Sequence, residues 1–445
     1  MKHEYEQQLL SAILLNNNLF DKVIGILDLK YFEEENQPLW QKICDFRNQG
    51  KVADLITLSN EFDDEYYKYL KELFLLGATS YGIVDYAKLI YEKWKRQQIK
   101  TICSNAVDRF DKKEDSSEII SSIANCLDEV LTEKETRKES TDEAVDKACE
   151  IIEKAYQRKG VQGIRSGINL LDYKLGGFNG DELIVFAGRP AMGKTTIGLN
   201  LALESIKQKK HVVFFSLEMS KPQLMTRIVC KLAEVEVEKV RFGNVTEEEI
   251  MRIMEARTDV KRSISPYLTI FDKPSQTVAE IKAQSRMMKR RKKNDIIFID
   301  HLGLINYQGS FKDNRVMQLT YITNSLKALT KELNLPIILL CQLNRAVESQ
   351  EDKRPMLKDL RGSGSIEEDA ESVIFIHRPE YYLENKEPES NNEKKYNDWA
   401  EAMAKYRNIT QFHIAKNRNG SIGQVDVFLD MRINKMTNLE RGFND

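Results

Sequence analysis

Cysteine and histidine are scarce in this chain: six and five of 445 residues. Cys44, Cys103, Cys126, Cys149, Cys230 and Cys341 form no C-x-x-C pair and have no histidine-rich neighbourhood. That excludes a zinc ribbon and points to reduced thiols in a cytosolic chain. Long apolar runs are missing too. The N-terminus, Met1-Lys2-His3-Glu4-Tyr5-Glu6, lacks the apolar core of a signal peptide, and no later run approaches membrane-spanning length. A soluble, cytoplasmic protein without a membrane partner is expected. Nor is there an excess of one charge: 67 basic against 69 acidic residues leave a net charge of -2. Overall attraction to nucleic acid is therefore absent, and any basic track has to be local. There is no internal repeat and no low-complexity tract.

What is present is globular. At 41% hydrophobic content and 445 residues, the chain is too long for one ordinary core, so two domains of unequal size are expected. Residues 1–98 carry apolar positions at helical spacing, such as Leu9, Ile13 and Leu14 and then Val23, Ile24 and Leu27, with an aromatic cluster at Tyr66, Tyr67 and Tyr69. They predict an all-helical N-terminal domain. Residues 99–138 read as a helical connector; between Asp111 and Lys138 the composition shifts to Ser, Glu and Lys, around an amphipathic stretch at Ile119, Ile120, Ile123 and Leu127. Residues 139–160 begin with the capping box Ser140-Thr141-Asp142-Glu143 and end at Gly160. They predict a short linker helix with the narrow stripe Ala144, Ala148, Ile151 and Ala155, which can dock on its own chain or on another.

From residue 161 to 445 the pattern changes. Short runs rich in Val, Ile and Phe (Leu183 to Ala187, Val212 to Phe215, Leu268 to Phe271, Ile296 to Ile299, Ile337 to Cys341, Val373 to Ile376) alternate with helical patterns. Runs of this kind are strands buried on both faces of a parallel sheet, so the second domain is α/β.

The first of those strands runs into Gly188, Arg189, Pro190, Ala191, Met192, Gly193, Lys194 and Thr195, a complete G-x-x-x-x-G-K-[ST] phosphate loop, with Thr196 next to it in a helical stretch. A strand feeding such a loop into a helix N-terminus aims backbone N–H groups and the positive end of the helix dipole at phosphate oxygens. Lys194 is placed to reach the β- and γ-phosphates of a nucleoside triphosphate and Thr195 to hold Mg²⁺.

Other strand ends supply the remaining chemistry. Ile296 to Ile299 terminates in Asp300, the expected position for an acid that supports Mg²⁺. The next residue is His301 and not glutamate, so the acid that activates water has to come from elsewhere, and Glu218 stands just past Phe214-Phe215-Ser216-Leu217. Gln342 ends the Ile337 strand where it can sense the γ-phosphate, or it is simply a polar cap. Lys416 and Arg418 have alternate spacing in an extended segment, so they project from one face. Two cations so placed can approach one phosphate cluster together, or they can form a solvated hairpin end. The run Lys289 to Lys293 lies at the end of a helical pattern, where cations favour the helix C-terminus.

Taken in order, the phosphate loop, Ser216-Leu217-Glu218-Met219, Ile299-Asp300, Gln342-Leu343-Asn344-Arg345, Asp359-Leu360-Arg361-Gly362-Ser363-Gly364-Ser365 and Lys416-Asn417-Arg418-Asn419-Gly420 resemble the motif series of DnaB-family replicative DNA helicases. The likeness extends over almost the whole chain, including Glu6 to Leu14 and Ala53 to Leu58 in the helical head. It implies a RecA-like motor in a ring of six, with ATP and Mg²⁺ bound between neighbours. In that reading Lys194 and Thr195 bind phosphates and metal, Asp300 supports the metal, Glu218 polarises water and Gln342 reports the γ-phosphate. Arg418 is the arginine finger, with Lys416 beside it, and both reach the adjacent subunit's nucleotide. The linker helix docks on the neighbouring motor.

The implied partners are single-stranded and forked DNA, a primase and a helicase loader, and the implied movement is 5′ to 3′. The family's DNA-gripping loop reads Asp-Leu-Arg-Glu-Ser-Gly; here Arg361 is kept while Gly362 replaces the acid, and Gly364 follows. Arg361 can pair with backbone phosphate, and the glycines let backbone N–H groups approach closely. The polar stretch Glu384 to Asn408 is longer than the family usually has and is expected to be a surface insertion. The alternatives are a RecA-type recombination or repair ATPase, against which the helical head argues, and a nucleotide-binding scaffold or loader.

Overall fold

The computed structural model describes residues 4–439 except 79–81, 113, most of 117–159, 308–313, 345–352, 361–363 and 389–392. The chain folds into two compact units, Met1–Ile151 and Ile152–Asp445.

The described N-terminal unit is helical: α1 (Glu4–Leu15), α2 (Phe20–Val23), α3 (Gln37–Asn48), α4 (Leu55–Ser59), α5 (Asp64–Leu75) and α6 (Ile83–Asp111). Helix α6 runs without a break across residue 98 to Asp111, where the shift to Ser, Glu and Lys begins. The spacing of Leu9, Leu10 and Ile13 gives α1 a face that is completely buried, together with Leu39 and Ile43 of α3 and Ala87 and Ile90 of α6. Trp40 sits between Phe32, ring centroids 4.7 Å apart, and Phe20 at 5.6 Å. The helix starts are capped: Asp54 accepts from the N–H groups of Ile56 and Thr57, and Asp63 from that of Tyr66.

The same helix α1 buries a charge. The Glu6 carboxylate is 1% exposed and accepts from the Glu33 N–H at 3.0 Å, Asn36 Nδ2 at 2.8 Å and Lys93 Nζ at 3.0 Å. A buried carboxylate is tolerable only when its oxygens are bonded in this way.

The second unit is built on a nine-stranded sheet of order β3-β2-β4-β5-β1-β6-β7-β8-β9. Its strands are β1 (Leu183–Gly188), β2 (Val212–Ser216), β3 (Leu268–Phe271), β4 (Ile296–Asp300), β5 (Ile337–Gln342), β6 (Ser372–His377), β7 (Ile409–Asn417), β8 (Gly423–Asp430) and β9 (Lys435–Asn438). β1 to β6 pair in parallel, and β7 to β9 are added antiparallel.

The helices of this unit are α7 (Asn169–Leu175), α8 (Lys194–Lys207), α9 (Lys221–Ala233), α10 (Val237–Phe242), α11 (Glu247–Asp259), α12 (Val278–Arg290), α13 (Arg315–Leu333), α14 (Gly364–Asp369), α15 (Pro379–Glu384) and α16 (Glu393–Tyr406). The two-residue period of the strands divides their side chains between two cores. Ile184, Phe186, Phe214, Phe298 and Leu340 meet α8 and α9 through Ile197, Leu201, Leu224 and Ile228. Leu183, Val185, Val213, Phe215, Ile297 and Ile299 meet α12 and α13 through Ile281, Ile322 and Leu326. The central strands β1, β2, β4 and β5 are apolar along nearly their whole length because both faces are covered.

The run Lys289 to Lys293 does close helix α12, whose last turn holds Lys289 and Arg290. The stripe residues Ala144, Ala148, Ile151 and Ala155 of the expected linker helix lie outside the described residues.

Replacing the buried acid tests the N-terminal core. Glu6→Ala is expected to remove about 2–3 kcal/mol from this unit, by leaving the Asn36 amide and the Glu33 N–H without their acceptor. Urea unfolding followed on Trp40 and Trp94 fluorescence reads the change, and a loss below about 0.5 kcal/mol would contradict the role given to this carboxylate.

Candidate active site

Parallel strands share a direction, so all six end on the same edge of the sheet. There the register sets Gly188 of β1 opposite Gln342 of β5, and Ser216 of β2 opposite Asp300 of β4. The residues collected at this edge were far apart in sequence, and strand pairing alone brings them together.

The loop between β1 and α8 turns through two positive φ values, Ala191 at 66° and Gly193 at 84°. Glycine is required at 193 for a second reason: a Cβ there would lie 2.8 Å from Met431 Sδ. Lys194 opens α8, and its Nζ folds back to donate to the carbonyls of Gly188 and Arg189, each at 3.1 Å. The cation is thus held over the loop, against burial that lowers its pKa. Arg189 is itself buried and donates to the Leu343 carbonyl at 2.8 Å, which fastens the loop to the end of β5. Gln342 is exposed beside it.

Thr195 Oγ1 donates to Asp300 Oδ2 at 2.5 Å. Asp300 is 1% exposed and its other oxygen, Oδ1, has no hydrogen-bond partner. Burial pushes the Asp300 pKa up to about 6; the Thr195 hydroxyl, Lys194 and Arg227 work against that rise, and Glu218 adds to it. A buried carboxylate with an unused oxygen, next to a hydroxyl at a phosphate loop, is a hard-oxygen donor set that fits Mg²⁺. Among the described residues no group of three acidic, histidine or cysteine side chains could hold a metal alone.

Glu218 lies two residues past β2, positioned by the Leu217 N–H, which donates to the Asp300 carbonyl at 2.7 Å. Its side chain is 57% exposed, and Oε2 is 3.8 Å from His301 Nε2. Burial lowers the His301 pKa, so the ring is neutral at physiological pH.

Lys416 and Arg418 are somewhere else. β7 runs antiparallel to β6, with Gln411 opposite His377 at the phosphate-loop edge and Asn417 opposite Ser372 at the far edge. At about 3.3 Å per residue, Lys416 sits roughly 16 Å and Arg418 roughly 23 Å away along the strand. There Lys416 Nζ donates to the Glu367 carbonyl, Arg418 Nη2 donates to the Glu368 carbonyl at 2.5 Å, and Arg418 Nη1 is 3.6 Å from Glu371 Oε1. The carbonyls at the end of a helix, here α14, favour cations. Gly364 opens that helix, whereas Arg361 and Gly362 lie outside the described residues.

The sequence matches the description "DnaB-like helicase C terminal domain" over residues 163–438 and "DnaB-like helicase N terminal domain" over 1–92. The replicative DNA helicase DnaB of Rickettsia bellii is 38% identical over 465 aligned residues, covering 98% of this chain and 92% of that one. The replicative DNA helicase DnaC of Bacillus subtilis is 33% identical, covering 99% and 95%. A solved DnaB-like replicative helicase, studied for its interactions with primase, superposes with a TM-score of 0.70 at 27% identity over 98% of this chain and all of the other. An isolated solved ATPase domain gives 0.59 at 32% identity over 68% of this chain. The chain belongs to the DnaB-like family of replicative DNA helicases. Its second unit is the ATPase motor of a DNA helicase, on a mostly parallel sheet flanked by helices, and a helical unit precedes it.

Sequence reasoning missed several residues of the helicase that stand at this edge. Arg378, immediately after β6, donates to the Ala191 carbonyl at 3.3 Å. Its strand-end position was a signal that could have been read, as it was for Asp300. Arg227 of α9 reaches to 3.5 Å from Thr196 Oγ1, with Asp300 and Glu218 supporting its charge against burial. No local pattern marks Arg227 or Met431, which enter through long-range packing.

The raised Asp300 pKa has a stability consequence in the nucleotide-free helicase. An acid whose folded pKa exceeds its unfolded one favours folding while protonated, and loses that contribution as pH rises from about 4 to about 6. Asp300→Asn is therefore expected to melt about 2–4 °C or more above the parent near pH 7.5, and level with it near pH 4. A variant equally or less stable at both pH values, by scanning calorimetry, would contradict the burial cost.

Proposed function

We propose that this helicase works as a ring of six that hydrolyses Mg²⁺·ATP at pockets completed by the next subunit and moves 5′ to 3′ on one strand of forked DNA. The observation that carries the reading is the separation of charges: Lys194, Thr195, Asp300 and Glu218 gather at one edge of the sheet, and Lys416 and Arg418 are held at the other. A chain built so cannot bring its own finger to its own phosphates, and a head-to-tail ring does so for every pocket.

In that arrangement the loop N–H groups and Lys194 bind the β- and γ-phosphates, while Thr195 and Asp300 hold Mg²⁺, which neutralises phosphate charge. Glu218 orients the attacking water, and His301 beside it, neutral, can accept or donate a hydrogen bond without adding charge. Arg418, with Lys416, supplies positive charge to the γ-phosphate as it leaves, so turnover depends on the geometry of the interface. Gln342 lies one strand away from the loop, where a change of phosphate state is felt first. Arg361 belongs to the loop that grips DNA backbone, three residues before α14.

The primase named for the solved relative is the class of partner we assign to the helical head, and a loader is expected to place the ring on DNA.

Two measurements test this reading. Lys194→Ala and Arg418→Ala are each expected to lose hydrolysis, Arg418→Ala while keeping ATP binding. Mixing them is expected to restore part of it, because roughly a quarter of interfaces in a random heterologous ring then pair an intact loop with an intact finger. No recovery in mixed rings would contradict supply between subunits. Arg361→Ala is expected to weaken single-strand binding and to reduce the salt slope by about 1; an unchanged slope excludes Arg361 from the DNA path.

A further inference from the structure

The longer segment between β6 and β7 lies beside the nucleotide edge. It folds into α15 and α16, and α16 is tied down by its tryptophan: Trp399 Nε1 donates to the Leu383 carbonyl at 2.9 Å, and Tyr396 packs on the same indole at 5.5 Å. Trp399, Ala400 and Met403 are half-buried, as are Ala402 and Tyr406, in a helix otherwise in solvent, and the spacing of Trp399, Ala400 and Met403 puts them on one face. That face borders a cavity of about 710 Å³, whose opposite wall includes Arg378 and Met431.

Both residues of the opposite wall touch the phosphate loop. Arg378 holds the Ala191 carbonyl, and Met431 Sδ rests against Gly193. The cavity therefore starts where the loop ends. In a nucleotide the sugar is joined to the α-phosphate by one C–O–P bridge, so a nucleoside whose phosphates lie on this loop has to occupy adjoining space. The volume is within the range of sites for molecules of that size.

We propose that α16 is the outer wall of a nucleoside pocket, taking the base and ribose of the nucleotide whose phosphates sit on Gly188 to Thr195. This rests on the reading of that loop as the phosphate site. Met403 and the Trp399 face give apolar contact, and the guanidinium groups of Arg378 and Arg407, both lining the cavity, suit stacking on the π-face of a base. Such a wall grips any base by its face and does not read its edge. It separates nucleosides from inorganic phosphates, discriminates weakly among bases, and slows release of bound nucleotide.

The test compares two ligands on the full-length protein by calorimetry: ATP, and inorganic tripolyphosphate, which carries the phosphates without the nucleoside. Met403→Asp on α16 and Arg407→Ala just past its end change the cavity lining without touching the loop. Each is expected to weaken ATP by about fivefold to tenfold and to leave tripolyphosphate unchanged. ATP binding unaltered in both variants, or both ligands weakened equally, would overturn the pocket. Failure of the phosphate-site reading has its own signature, a Lys194→Ala protein that binds tripolyphosphate as the parent does, and it would take this proposal down with it.

Discussion

The direction of β7 is the constraint on which the account depends. Five parallel strands carry their chemistry to the edge where Gly188, Ser216, Asp300, Gln342 and His377 end. The next strand in the sheet returns antiparallel and delivers Lys416 and Arg418 to the opposite edge, where the Glu367 and Glu368 carbonyls and Glu371 hold them. Had the chain crossed over to add another parallel strand, the same cations would stand near their own phosphate loop, and a single subunit could complete its pocket. On the reading proposed above, this topology leaves the motor unit incomplete by itself, and an interface that must close before bond cleavage would couple chemistry to subunit position.

At the phosphate edge the chain stores charge in guarded form. Lys194 rests on two carbonyls, Asp300 shares the Thr195 proton, and Arg378 rests on the Ala191 carbonyl. Each contact is one that phosphate or metal can replace. Burial supplies the drive for replacement, since it disfavours both the lone Lys194 cation and the lone Asp300 anion. Bringing opposite charge to such groups recovers what desolvation has cost them.

How much of this was legible in the sequence follows from how local each feature is. The six expected apolar runs coincide with β1 to β6, because strands covered on both faces need apolar residues at every position and write an unmistakable record. The phosphate loop, Glu218 and Asp300 were legible for a related reason: they follow directly on those strands. Lys416 and Arg418 could be seen as a same-face pair, but which edge they reach is a property of strand direction, and alternation cannot encode direction. Met431, Arg227 and the cavity face of α16 were invisible, since each meets the loop through contacts between segments distant in sequence. Residues 384–408 were expected to be a surface insertion, and α16 is indeed largely exposed; what alternation could not show is that its Trp399 and Met403 also line the cavity beside the phosphate loop.

The most direct measurement is an electron-microscopy structure of the protein bound to a non-hydrolysable ATP analogue and single-stranded DNA. The account predicts closed six-membered rings in which each Arg418 has left the α14 carbonyls and lies about 3 Å from a γ-phosphate oxygen of the neighbouring subunit. Monomers or open filaments with occupied nucleotide sites, or rings in which Arg418 stays on Glu368 and Glu371 in every subunit, would contradict it.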